Sequence, residues 1–320
     1  MKQSSLGLGT STKRTRRREF LDEMDRVVPW SDLVVQIVSY MPEGKRGRPP
    51  FPVESLLRIH FMQQWFTLSD PAMEEALHDM PLFRDFAGLG GWDDRLPDES
   101  TILRFRHVLE KHKLVERILA TVNLLLGAKG LMLRSGTVVD ATLISAPSST
   151  KNADGERDPD MKQSRKGQQW YFGMKAHIGV DADSGLVHTA RGTAGSVNDV
   201  IEANSLLHGQ ETDVFADAGY QGAHKRPDAK DGVQWHVAMR PGLRKLLDKA
   251  YPMDALTEQV ERIKASIRAK VEHPFRVIKC QFGHVKVRYR GLAENTAQLH
   301  TLFALANLWM VRRRLSRGLA

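Results

Sequence analysis

The chain has 320 residues, 41% of them hydrophobic, enough to bury an ordinary core, and its length suggests two domains. A single cysteine, Cys280, excludes an intrachain disulfide and any paired-cysteine zinc or redox motif, and no apolar run approaches the roughly 20 residues that a bilayer requires. The net charge of +9 points to a polyanionic partner, and the absence of a secretory leader pattern makes the cytoplasm the expected compartment, with no membrane partner.

Residues 1–18 carry Lys2, Lys13, Arg14, Arg16, Arg17 and Arg18 without an acid, and are expected to form a disordered basic arm able to contact phosphate without reading sequence. Residues 19–130 read as a helical domain. Phe20, Leu21, Met24, Val27 and Val28 mark a first amphipathic helix, and an apolar stretch runs on through Val38. The segment 42–50, rich in Pro, Gly and charge, reads as an exposed connection. Beyond it Val53, Leu56, Leu57, His60 and Phe61 recur at helical spacing, Ser69-Asp-Pro71 opens a further helix, and Asp98 caps another that bears Ser100, Thr101, Arg104, Arg106 and His107. This is either a helix-turn-helix with its third element in a DNA groove, Arg104 and Arg106 facing the DNA, or a helical bundle with a wet polar face.

From about residue 131 the character becomes α/β. Gly136–Ile144 is short and β-branched, as a buried strand is, and 145–169 is a polar loop without apolar period. Trp170–Val180 and Leu186–Gly192 form a hairpin, Val197–His208 a helix, and Asp213–Asp217 and Val233–Met239 two more strands. Helices from Met253 to about Lys279 and from Ala293 to Leu315 close the chain. This order is that of a ribonuclease H-like α/β fold preceded by an all-α domain.

Two acids sit where strands disfavour them. Asp140 lies among Val138, Val139, Ala141 and Leu143, and Asp217 ends Val214-Phe-Ala. Each alone reads as a cap or turn residue, whereas the two together, at the ends or centres of adjacent parallel strands, favour a metal site. In the following helix Val260, Ile263, Ile267 and Val271 mark a stripe expected to be buried, with Arg268 and Glu272 on its flank, where they would otherwise make a routine surface ion pair. Asp199 reads as a helix N-cap, and Trp170 either as a core residue or as a platform for an unpaired base.

Arg268-x₃-Glu272-x₆-Lys279, Val-Val-Asp140-Ala-Thr and Phe-Ala-Asp217-Ala-Gly-Tyr-Gln-Gly together resemble the acid motifs of bacterial insertion-sequence transposases with a DDE triad and a Y-R-E-K signature, nearest to the insertion sequence five family. Residues 47–107 are similar to the N-terminal domain of the same proteins, while Ala265 stands where the signature has Tyr. The resemblance implies a transposase that cleaves and rejoins terminal inverted repeats and joins them to target DNA, working as a homodimer on paired ends of double-stranded DNA in association with the nucleoid. It implies catalysis by Asp140, Asp217 and Glu272 holding two Mg²⁺ ions, for which Mn²⁺ substitutes, with Asp140 bridging them. Arg268 and Lys279 would hold DNA phosphates, and Arg16, Arg17, Arg18 and Trp170 would add DNA contacts. A catalytically decayed transposase, or a helix-turn-helix protein that only binds DNA, is the alternative.

Overall fold

The computed structural model describes residues 14–42, 49–91, 94–152, 155–248 and 250–317. Seven helices come first: α1 (Arg16–Val27), α2 (Trp30–Val38), α3 (Val53–Phe66), α4 (Asp70–Asp79), α5 (Pro81–Ala87), α6 (Glu99–Lys111) and α7 (Leu114–Ala128). Their starts follow the capping chemistry of the sequence. Ser69 Oγ accepts from the Ala72 N–H at 3.3 Å with Pro71 in the first turn of α4, and Asp98 Oδ1 accepts from the Thr101 N–H at 2.7 Å at the head of α6. Gly88, at φ 71°, takes the left-handed conformation that ends α5.

The second half is built on a six-stranded sheet: β1 (Gly136–Ser145), β2 (Lys162–Lys166), β3 (Gln169–Asp181), β4 (Val187–Ala194), β5 (Asp213–Ala216) and β6 (Gln234–Val237). β1 runs antiparallel to β3 from Thr137↔Asp181 to Ser145↔Gly173, and β4 runs antiparallel along β3 on its other side. β5 lies parallel to β1, and β6 parallel to β5. The order β4-β3-β1-β5-β6, three antiparallel strands followed by two parallel ones, is the ribonuclease H-like arrangement. The connections are α8 (Asp199–Glu202), α9 (Pro241–Arg244), α10 (Pro252–Arg268), α11 (Glu272–Arg276) and the closing α12 (Leu292–Arg317).

α12 joins the two halves. It packs on α1, α3, α7, α11, β3 and β4, so that residues from Leu21 to Leu315 form one continuous core. Asn307, fully buried, is satisfied by this junction. Its amide donates to Asn123 Oδ1 at 3.0 Å and to the Val187 carbonyl at 2.7 Å, while its oxygen accepts from the Val187 N–H at 2.8 Å. The division into 19–130 and 131–320 therefore marks a change of secondary structure across a shared core. A smaller core of Val139, Leu206, Val214 and Tyr220 covers the opposite face of β1 and β5. Among the described residues no helix is long and apolar enough to cross a membrane.

Four expectations are corrected. The basic arm lies outside the described residues up to 13, but Arg16, Arg17 and Arg18 open α1, where Thr15 caps the helix. The polar stretch 145–169 contains β2, which pairs with the start of β3 from Lys162↔Gly173 to Lys166↔Gln169. Helix 197–208 is reduced to α8 and a 3₁₀ turn, Asn204–Leu206. The helix from Met253 to Lys279 breaks at a 3₁₀ turn, Ala269–Val271, before α11, and ends in a π-turn, Val277–Gln281. Within it Val260 and Ile263 are exposed, not buried.

Candidate active site

Parallel pairing of β1 with β5 places the first two acids side by side. Val138 is opposite Phe215, and Asp140 and Asp217 each stand two residues further along adjacent strands, which lie about 4.8 Å apart in a sheet. The 3₁₀ turn Ala269–Val271 packs against β1 and delivers Glu272 at the first residue of α11. Each aspartate commits one oxygen to the backbone: Asp140 Oδ1 accepts from the Ala141 N–H at 2.7 Å, and Asp217 Oδ1 from the Gly219 N–H at 2.8 Å. Glu272 is exposed, and both aspartates are half-buried.

The three acids influence one another electrostatically. Burial first, then the charges of Asp217 and Glu272, raise the Asp140 carboxyl to about 7 against the opposing Ala141 N–H and Arg268 guanidinium. Tyr220, three residues beyond Asp217, is buried with its hydroxyl lacking a hydrogen-bond partner among the described residues. Burial drives its pKa well above 10, assisted by Asp140, Asp199 and Asp217 and opposed by Arg268. A buried, unsatisfied phenol beside three acids is a functional signal that the sequence reading did not draw from the Ala-Gly-Tyr-Gln-Gly segment.

The basic residues divide. Arg268 is half-buried and its charge reaches Asp140 and Tyr220. Lys279 lies near Glu272, but its ammonium is already engaged, donating to Thr142 Oγ1 at 2.6 Å and to the Leu143 carbonyl at 3.1 Å. Burial and the charge of Lys166 lower its pKa, and Glu272 opposes this. Lys279 thus braces β1 beside the acids. The influence of Lys166 also brings the β2–β3 hairpin to this edge of the site, where Lys162, Arg165 and Trp170 are exposed. Asp199 is the first residue of α8, with Asn198 as its cap, and it pairs with Lys175 at 2.8 Å.

One arginine departs from the expected DNA-facing role. Arg106 is buried, paired with Asp70 at 2.9 Å and Glu110 at 3.1 Å, and its guanidinium lies 4.1 Å from the Tyr289 ring centre. It closes the interior of the bundle and cannot reach DNA without breaking those pairs. Arg17 lies over the rings of Phe66 and Phe83, and Arg18 reaches Asp85 at 3.5 Å, so both fasten α1 to its neighbours. Arg16 and Arg104 are exposed; Arg104, His107 and Lys111 share the solvent face of α6.

A second group of potential metal ligands lies apart from the acids. Among the described residues, His188, His208 and Glu211 are the only set of three whose ligand atoms all lie within 4.8 Å of one another. Their hydrogen bonds argue against a cation. The Thr137 hydroxyl donates to Glu211 Oε1 at 3.2 Å and so must accept from His188 Nε2, 3.0 Å away. His208 Nδ1 accepts from the Gln210 N–H at 3.2 Å, leaving the proton on Nε2, which faces Glu211 at 3.5 Å. Both imidazoles thus turn an N–H inward, and burial lowers the pKa of both. By contrast Asp140, Asp217 and Glu272 offer carboxylate oxygens only, a ligand set suited to a hard divalent ion.

A family model described as "Transposase DDE domain" matches residues 132–308, more than half of the chain, and another, "Transposase domain (DUF772)", matches 10–108. Among solved structures, "Cryo-EM structure of piggyBac transposase synaptic complex with hairpin DNA" is similar at 12% identity and a TM-score of 0.44, covering 93% of this chain and 74% of that one. That likeness is too distant to bear on the chemistry.

Proposed function

Because the chain belongs to the transposase DDE domain family, we propose that it is a DNA transposase that cleaves and rejoins the terminal inverted repeats of an insertion sequence, of the insertion sequence five type. The observation that carries this reading is the meeting of Asp140, Asp217 and Glu272 in one electrostatic cluster at the edge of a ribonuclease H-like sheet.

Asp140, Asp217 and Glu272 are the residues that would hold the Mg²⁺ ions. When bound, such ions would stabilise the attacking and leaving oxygens of an in-line displacement at phosphorus. The chain's own residues do the rest. The Ala141 and Gly219 N–H groups fix one oxygen of each aspartate. Arg268 balances the charge and offers a guanidinium to a DNA phosphate near the cut. Lys279 holds β1 in place through Thr142. Trp170, on the basic β2–β3 hairpin, is placed to stack on a base unpaired at the terminus.

The test is strand transfer. Protein incubated with precleaved terminal-repeat DNA and Mg²⁺ should yield joined products, and Asp140→Asn should yield none while still binding the DNA. Hydrolysis without joining would reduce the protein to a nuclease. Joining by the Asp140→Asn variant at the wild-type rate would remove Asp140 from the chemistry.

A further inference from the structure

α10 sits the wrong way round for a helix of a free-standing protein. An amphipathic helix ordinarily turns its apolar stripe to the core. Here the polar side holds the body: Glu261, the only buried residue of α10, accepts from the Met239 N–H at 2.9 Å, and Lys264 donates to the Val237 carbonyl at 3.3 Å. Met253, Leu256, Val260 and Ile263 face outward, each between 43% and 64% exposed, and half-buried Ile267 continues the line. Their 3-4-3-4 spacing is a heptad seam with β-branched Val260 and Ile267 at equivalent positions, the pattern that packs one helix along another. Leu243, Leu246 and Tyr251, 58% to 77% exposed, extend the patch from α9.

We propose that this α9–α10 stripe is the surface through which two copies of this chain pair. The seven most exposed side chains leave on the order of 750 Å² of mostly apolar surface in water, close to the ~800 Å² per partner of a stable complex. That exceeds the roughly 300–600 Å² of the largest apolar patch on a typical monomer. A second copy presents the same seam, so a two-fold axis across α10 satisfies both stripes at once. The pairing rests on α10 alone and stands whether or not the acids are catalytic.

Sedimentation of the full chain without DNA, at micromolar concentration, should show a dimer. Leu256→Glu combined with Ile263→Glu, both at exposed positions where Glu keeps the helix, should raise the dissociation constant at least about 100-fold while the far-ultraviolet circular dichroism spectrum stays that of the folded chain. Leu124→Glu, at an exposed apolar position on α7, should leave the dimer intact. A monomeric wild type, including one whose stripe proves to contact DNA, would overturn the proposal, as would a dimer that survives the double substitution.

Discussion

Ionising Asp140 opposes the fold when no cation is bound. Burial first, then Asp217 and Glu272, hold its carboxyl near 7 against an ordinary 3.8, so the native state binds its proton more tightly than the unfolded chain. That contribution to stability is complete below the ordinary value and is lost as pH rises through 7. Two outcomes follow for Asp140→Asn in thermal melts at pH 8: it should melt above the wild type without metal, and it should lose the stabilisation that Mg²⁺ gives the wild type. In cleavage assays the same substitution, Asp217→Asn and Glu272→Gln should each lower the rate by at least about 1,000-fold. Arg106 makes the complementary prediction. Arg106→Met strands Asp70 and Glu110 and should cost about 3 kcal/mol in urea unfolding, whereas Arg104→Ala should leave stability alone and reduce the salt slope of DNA binding by about 1. Asp140 and Asp217 stood out in the sequence only as a pair, since each alone reads as a cap or turn residue, and Glu272 stood out only through the motif spacing of the resemblance. Which of two arginines faced inward was not legible, because residues two apart lie about 200° apart on a helix and both flanks of α6 carry charge.

At the scale of elements, regular apolar periods were read correctly and segments without them were not. β2 carries Lys162, Gln163, Ser164, Arg165 and Lys166, with no alternation to mark it, since it is an edge strand held by backbone bonds to β3. The stripe on α10 was read with the right spacing and the wrong direction, because periodicity locates an apolar face without saying what covers it. The break after Arg268 depends on packing of Ala269–Val271 against β1, a tertiary contact that spacing cannot convey. The β2–β3 hairpin carries its own test. Trp170→Ala removes an exposed ring, so the melting temperature should stay constant while affinity for single-stranded terminal DNA falls about 10-fold in fluorescence anisotropy titrations. Equal loss of affinity for blunt duplex and for single strands would assign Trp170 to backbone contact instead of stacking.

The molecule as a whole is closed by α12, and buried histidines link that closure to pH. Burial lowers His60 to about 4, helped by Arg106 and opposed by Asp70, and lowers His284 to about 4, helped by Arg288 and Lys279. Both are neutral in the native state, while the unfolded chain takes up protons near 6.5. Their stabilising contribution is full above 6.5 and is lost as pH falls toward 4. The urea midpoint of Asp140→Asn, which lacks the opposing carboxyl titration, should therefore decline steadily across that window.

The central claim is that Asp140, Asp217 and Glu272, far apart in the chain, share divalent cations. Anomalous diffraction from crystals grown with Mn²⁺ tests it most directly. Two peaks should flank Asp140, one also in contact with Asp217 and the other with Glu272. Manganese at His188, His208 and Glu211, with none at the three acids, would contradict it.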